Sequence, residues 1–360
     1  MKRKHPYIGL DDRQFWKRAP AGPSGQDLDP VSDVPFVLKS QDKIVTAGSC
    51  FAQHVARYLT EQGFNHYVSE AAYPFIEDAV AKRHNYGLFS ARYGNLYTAR
   101  QLLQLLQRAY GLFDPVASHW KTPDGKAYAD PFRPQIQPGG FSSLEELEAD
   151  RKQHLAAVRQ SIENMDVFVF TLGLTEAWLD KRDGAVFPIA PGVAGGEFDE
   201  EIVEFYNFDH DETADDLMSA LQFIRSKNPT VKFIVTVSPV PLNATYLPRH
   251  VWTSTTWSKA ALRIAAEKVT ASLDDCCYFP SYEVITSPHV RGGYYADDGR
   301  EVLLTGVDHV MALFAKHFFE NTQSKDVPVS RPEQSEGKKH NADMEQLIEL
   351  LCDEEAIDNT

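Results

Sequence analysis

The sequence predicts an α/β fold, a three-layer sandwich built on a five-stranded parallel sheet with irregular insertions, and three observations predict it. Short, continuous apolar runs rich in β-branched or aromatic residues recur at residues 43–47, 167–170, 231–237 and 277–279. Such runs suit strands buried on both faces, as parallel sheets require. Between them lie stretches with apolar residues at helical spacing, so strand and helix alternate along the chain. Stretches rich in proline, glycine and aromatic residues at 113–141 and 181–210 interrupt the alternation without forming a repeat.

The elements follow in order. Residues 27–39, rich in proline and aspartate, read as an irregular arm laid over the domain. Residues 43–47 form the first strand, Gly48 stops it, and a helix follows to Tyr58 and Leu59 with Ala52, Val55, Ala56 and Leu59 as its buried stripe. Residues 65–69 supply a short second strand. Thr98 opens a helix through Leu102, Leu103, Leu105 and Leu106, which Gly111 ends. Ser143, with Glu146 three residues on, gives a capping box for a helix reaching about Met165. Further helices are expected up to Ser226, over 258–273 and over 305–319, the last with Val307, Val310, Met311 and Phe314 facing the core. Beyond Asn321 the chain turns polar and ends with an amphipathic segment from Met344 to Cys352. This gives an arm (1–40), one α/β domain (41–322) and a tail (323–360).

The 360 residues and 43% hydrophobic content are enough for one large core. A formal charge of −15, with Lys and Arg scattered, argues against nucleic acid as partner. Cys50, Cys276, Cys277 and Cys352 show neither metal-ligand nor disulfide-framework spacing, so no metal site is expected. No apolar stretch reaches secretory-signal or membrane-span length, and the expectation is a soluble, cytoplasmic protein with no membrane insertion.

The chemistry concentrates at the first strand-to-helix turn. A helix amino terminus offers unpaired backbone N–H groups and the positive end of a dipole, which stabilise anions and favour a thiolate. Cys50 occupies that place and is a sensible nucleophile. The plainer reading is a small residue packed beneath the helix.

The pentapeptide Gly48-Ser49-Cys50-Phe51-Ala52 resembles the signature of the GSCFA family, a group similar to SGNH hydrolases. The resemblance continues in order through residues 90–98, 171–178, 236–241 and 278–283. It implies a flavodoxin-like, SGNH-hydrolase type of sandwich. Under it Cys50 takes the position of the usual serine and Ser49 that of the usual aspartate. Gly94, followed by Asn95, matches the glycine that lends an N–H to the oxyanion hole, with Gly87 near enough to compete. Gly173-Leu174-Thr175-Glu176 stands for the GxND block, with Thr175 in the place of the asparagine donor.

The last block departs from the resemblance. Where DxxH supplies the orienting aspartate and the general base, this chain has Asp298-Gly299-Arg300-Glu301. Glu301 beside Asp298, His309 in the final helix and His54, four residues after Cys50, are the candidates for the base. His309 points away from the core stripe, and its plainer reading is a surface histidine. His54 also reads as solvent-facing. A site that binds without catalysing is the fourth possibility.

Arg92 and Arg100 are candidates for gripping an anionic group, against a plain reading as surface arginines. Tyr97, Trp120, Trp178, Tyr206, Phe208, Trp252 and Trp257 lend modest support to a sugar-binding cleft, although packing is their commoner use. The expected function is acyl transfer through Cys50 by an esterase or O-acyltransferase acting on acyl esters of carbohydrate or polysaccharide precursors. No resident cofactor is required, and kinship admits a coenzyme A thioester as acyl donor. The rival is an inactive carbohydrate-binding or scaffolding protein of the same fold.

Overall fold

The structure, a computed structural model, describes residues 5–19, 25, 27–32, 34–320 and 357. Strand β1 (Ile44–Gly48) runs into helix α1 (Ala52–Glu61), which buries Ala52, Val55, Ala56 and Leu59 as its spacing predicts. A short helix, α2 (Asp78–Arg83), precedes α3 (Ala99–Ala109). Thr98 caps α3: its hydroxyl accepts the Gln101 N–H at 3.2 Å, and the Gln101 side-chain oxygen accepts the Thr98 N–H at 2.9 Å.

The 113–141 stretch contains an antiparallel pair, β2 (Trp120–Lys121) and β3 (Tyr128–Ala129), before α4 (Leu144–Asn164) and β4 (Val167–Leu172). The cap of α4 differs from the expected box. Ser143 Oγ does accept the Glu146 N–H at 3.2 Å, but the Glu146 carboxylate accepts the N–H and hydroxyl of Ser142, at 2.9 and 2.5 Å. Next come β5 (Glu176–Asp180), β6 (Val186–Phe187) and β7 (Val203–Asn207), which pair as an antiparallel sheet in the order β6-β5-β7. The second insertion is therefore built on regular structure. Helix α5 (His210–Lys227), β8 (Lys232–Val237), α6 (Val251–Thr270), β9 (Cys276–Phe279), α7 (Ser281–Thr286) and α8 (Leu304–Phe318) complete the fold.

The main sheet is parallel and has four strands in the order β1-β4-β8-β9. The expected strand at 65–69 does not form. That segment lies beside β1 through one bridge, Ile44 with His66, supported by Ile44 N to Asn65 O and Tyr67 N to Ile44 O at 2.9 and 2.8 Å. It leaves the edge early because His66 turns its Nε2 to the hydroxyls of Thr46 and Ser90, at 3.2 and 3.1 Å. The segment thus takes a fifth strand's place without its ladder.

Alternate residues of the strands feed two apolar clusters. Val45, Phe168, Phe170, Phe233 and Val235 pack against α3, α4, α5 and α6. Ile44, Val167, Val169, Ile234 and Phe279 pack against α1, α7 and α8. Helices thus cover both faces, which explains why the strands read as continuous rather than alternating runs. Val31, Phe36 and Leu38 of the arm join the second cluster, and Leu38 bridges to Phe319. The tail segment from Met344 to Cys352 lies outside the described residues, while Ile357 packs against the cluster of Trp120, Phe187 and Val203.

Candidate functional site

Crowding forces the turn after β1 to be what it is. Gly48 holds φ at +131°, and a Cβ there would stand 2.2 Å from the Thr171 carbonyl oxygen. Strand β4 can pass this close only to glycine. Ser49 donates its N–H to the same oxygen at 3.1 Å, which fixes the exit direction of the chain. Cys50 follows, 8% exposed, and the Ser49 and Cys50 carbonyls accept the N–H groups of Ala52 and Gln53 at 2.9 and 3.1 Å as α1 begins. The Ser49 hydroxyl is buried and finds no hydrogen-bond partner among the described residues.

Two other stretches converge on this turn. Leu96 donates its N–H to the Gly48 carbonyl at 2.8 Å, and the Tyr97 carbonyl accepts both Gly173 and Leu174 N–H at 3.0 Å. The loop holding Gly94 and Asn95 is thereby tied to the ends of β1 and β4. Gly94 has φ +70° with open space where a Cβ would be, so backbone conformation rather than crowding favours glycine there. Gly173 is crowded: a Cβ would come within 2.9 Å of Ser49 Cβ. Tyr97, Leu174 and Leu242 form a small apolar cluster that brings in the loop after β8.

Glu176 anchors that loop, accepting the Thr245 hydroxyl at 2.6 Å and the Tyr246 N–H at 3.2 Å. Thr175 is fully buried and donates its hydroxyl to Ser258 Oγ at 3.0 Å, so its proton points to α6 in this arrangement. Lys259, from the same helix, is 1% exposed and donates to the Gly173 carbonyl at 2.7 Å. Sequence reading passed over Lys259, yet it falls three residues before the buried Leu262 of α6, a place where a lysine is unusual. That position was the available signal.

The candidate bases separate. Asp298 is exposed, and its carboxylate accepts the N–H groups of Arg300 and Glu301 at 2.9 and 3.1 Å, the bonding of a tight turn. Glu301 is half-buried, and its carbonyl accepts the Ala296 N–H at 2.9 Å. His309 is half-buried rather than on the surface: its Nδ1 pairs with the Tyr294 hydroxyl at 2.8 Å and its ring bonds the backbone of Leu28 in the arm. His54, one helical turn from Cys50, packs on Phe51 with ring centroids 5.4 Å apart. Its Nδ1 is buried without a partner among the described residues.

Arg92 is a correction. It is 2% exposed, stacks on Tyr86, and donates to the His84 and Ile136 carbonyls at 3.0 and 3.2 Å and to Asp150 at 2.7 Å. Neither a surface arginine nor a ligand clamp fits that bonding. It belongs to a buried ionic network with Glu70, Asp130, Arg133 and Asp150 that holds the 85–95 loop. Arg100 pairs with Asp216 at 2.7 Å. Of the aromatic candidates, Tyr97, Trp120 and Phe208 are buried packing residues, whereas Trp252 is 69% exposed and Trp178 packs edge-on against Phe198, Phe205 and Tyr246. Among the described residues no group of three or more His, Cys, Asp or Glu is placed to hold a metal ion, and no helix is long and apolar enough to cross a membrane.

Burial holds the imidazole of His54 down to about 3 and that of His66 down to about 4. The unfolded chain protonates its histidines near 6.5, so from that pH downward it binds more protons than the fold. Stability is complete above 6.5 and falls as pH drops towards 4 for His66 and 3 for His54. At roughly 1.4 kcal/mol per pH unit per group, urea unfolding at pH 5.5 is expected to show a loss of at least about 2 kcal/mol relative to pH 7.5. His66→Gln is expected to reduce that loss. Equal stability at the two pH values would show that these rings are not held neutral.

No curated protein matches the chain. A model of the GSCFA family matches residues 43–314, which span β1 through most of α8 and all the loops that meet at the turn. The match covers well over half of the 360 residues, and the chain belongs to the GSCFA family.

Proposed function

We propose that this protein is an SGNH-like acyl-transfer enzyme, an esterase or O-acyltransferase, that acts through Cys50 on acyl esters of carbohydrate or polysaccharide precursors. The observation that carries the reading is the turn itself: Gly48 lets β4 approach, and Cys50 is delivered at the mouth of α1 beside the Gly94 and Gly173 loops. Ligands of parallel α/β sheets gather beyond the carboxyl ends of the strands, and this turn is at that end.

In the proposed reaction the Cys50 sulfur attacks the acyl carbonyl and a C–S bond forms. The Cys50 and Gly94 N–H groups hold the oxyanion. As the ester C–O bond breaks, the departing alkoxide takes a proton and a thioester remains. Water or a sugar hydroxyl then attacks the thioester, giving the acid or the new ester and restoring the thiol. In the transfer version the first acyl donor is a coenzyme A thioester, a co-substrate rather than a resident group: its C–S bond breaks in place of the ester C–O bond, and the coenzyme A thiolate leaves with the proton. Thr175 contributes shape, its proton being directed to Ser258. His54 is the titratable side chain nearest along the helix to Cys50 and is neutral at pH 7, so it is assigned as proton acceptor.

One observation favours the second reading, a carbohydrate-binding protein without catalysis: an imidazole held down to about 3 is a poor partner for a thiol near 8.5. The test uses a chromogenic acyl ester. Cys50→Ala is expected to lower turnover at least 100-fold, Ser49→Ala by less, and quenched wild-type enzyme to carry the acyl mass on the Cys50 peptide. Equal activity in the two variants removes Cys50 from the chemistry. No turnover by wild type, with oligosaccharide binding retained, selects the second reading.

A further inference from the structure

An open groove of about 610 Å³ lies between the end of α2 and the 122–140 loops. Lys82 and Arg83 line it from the last turn of α2, and both side chains are exposed. Neither makes an ion pair among the described residues. Across from them lie Gln135, Gln137 and Thr122. Asp124 is the one carboxylate in the lining; it accepts the Thr122 hydroxyl at 2.7 Å and the Lys126 N–H at 3.1 Å, with Lys126 Nζ 3.6 Å away. Its charge is thus offset, and the groove is left with two cations on a chain of formal charge −15.

A second recess adjoins the groove. Asn85 and Gln135 line both the groove and this recess of about 20 Å³, whose other walls include Gly94, Asn95 and Arg133. Gly94 and Asn95 belong to the loop whose Leu96 N–H holds the Gly48 carbonyl. Asn85 keeps φ at +62° and donates its amide to the Gln135 and Ile136 carbonyls, both at 3.3 Å, which fixes the wall shared by groove and recess. The groove thus shares Asn85 and Gln135 with a recess lined by the loop that braces the Cys50 turn.

We infer that this groove binds the acidic, polyhydroxylated part of the substrate: an oligosaccharide or sugar bearing a carboxylate or phosphate held by Lys82 and Arg83. Side-chain amides both donate and accept, matching sugar hydroxyls, and a guanidinium fork beside an ammonium matches an oxyanion. The volume exceeds what a lone inorganic anion needs and falls in the range of sites for larger ligands. The inference rests on the acyl-transfer reading for its chemistry, but it is measured by binding alone.

The experiment is calorimetric titration of the full chain with a glucuronate-containing tetrasaccharide, a sugar phosphate and neutral maltotetraose. At least one acidic ligand is expected to bind ten-fold or more tightly than maltotetraose, and the tighter of the two names the anion. Lys82→Ser with Arg83→Ser is expected to bring acidic ligands to the neutral level, while Lys82→Arg with Arg83→Lys keeps the preference. Both positions are exposed, so the variants are expected to fold. Equal binding of acidic and neutral ligands, or acidic binding unaffected by the double serine variant, overturns the inference. Turnover of a small neutral acyl ester is followed in parallel. Acid-selective binding without turnover leaves the groove standing and removes the catalytic reading, and turnover without acid-selective binding does the reverse.

Discussion

Gly48→Ala is expected to cost more than activity: the variant should fail to fold stably, losing more than about 4 kcal/mol, the range in which single substitutions become exceptional. Two effects add. The backbone at φ +131° lies in a region that L side chains rarely adopt, a strain of about 1–3 kcal/mol. The added methyl would also stand 2.2 Å from Thr171 O and 2.8 Å from Thr171 C and N, all backbone of the central strand β4. No side chain can swing away to relieve that contact. Opening the β1–β4 pair would in turn break the Ser49 N–H bond to Thr171 O and loosen the Leu96 bond to the Gly48 carbonyl. Denaturant unfolding of Gly48→Ala beside Gly94→Ala measures the distinction, because Gly94 has φ +70° but open space around it and is expected to lose only about 1–2 kcal/mol. Comparable losses at both sites would mean that close approach to β4 does not define the turn.

The turn was legible because its parts are local: an apolar run, a glycine and a helical stripe within about twenty residues. The strands of the main sheet were legible for the same reason, each a short run such as Val167-Phe168-Val169-Phe170 whose length and β-branched and aromatic content suit a strand covered on both faces. Structure held by distant partners was not legible. The first two turns of α6 contain Val251, Thr253, Thr255 and Thr256, β-branched residues that argue weakly for a helix. They are helical because His250 caps the Trp252 N–H and the Ser254 hydroxyl accepts from Arg249 and bonds the hydroxyl of Thr245 in the preceding loop, the Thr245 proton itself going to Glu176. The sheet of β5, β6 and β7 is similar, since two-residue β6 has no period of its own and exists only by pairing with β5.

The site shows the same limit. The family resemblance is enough to name Gly94 and Thr175 beside Cys50, but not to place Thr175 against Ser258, a residue 83 positions away. Glu176, the last residue of the GxND-like block, is the clamp of the loop at Thr245 and Tyr246. Arg92 is the clearest case. Its partners come from residues 70, 84, 86, 136 and 150, and no spacing rule links an arginine to carboxylates 22 positions before it and 58 after it.

That network yields the second large expected effect. Asp130 is fully buried and meets Arg133 through Oδ2 at 3.0 Å, with Arg151 at 3.4 Å. Burial alone would raise its carboxyl, but Arg133, Arg151 and Arg108 outweigh that and hold it far below the usual carboxylate range. Asp130→Ala removes this charge and leaves Arg133, itself 2% exposed on its side chain, with Asp150 as its remaining carboxylate partner. Stranding a buried cation costs about 3–5 kcal/mol, whereas removing both members of a pair often costs far less. Asp130→Ala is therefore expected to lose about 3–5 kcal/mol in urea unfolding, and Asp130→Ala with Arg133→Met to lose less than the sum of its two single variants. Additive losses would mean that the two side chains are energetically independent. The effect should also reach the site, because Arg133 Nη1 donates to the Arg92 carbonyl at 3.2 Å and Arg92 donates its own N–H to Glu70 at 2.7 Å. Those two bonds clamp the loop that presents Gly94, so Arg133→Met is expected to lower turnover of the acyl ester even under conditions where the variant remains folded. Unchanged turnover in folded Arg133→Met would separate the network from the oxyanion loop, and would leave the Leu96 and Tyr97 backbone bonds as what holds that loop against the Cys50 turn.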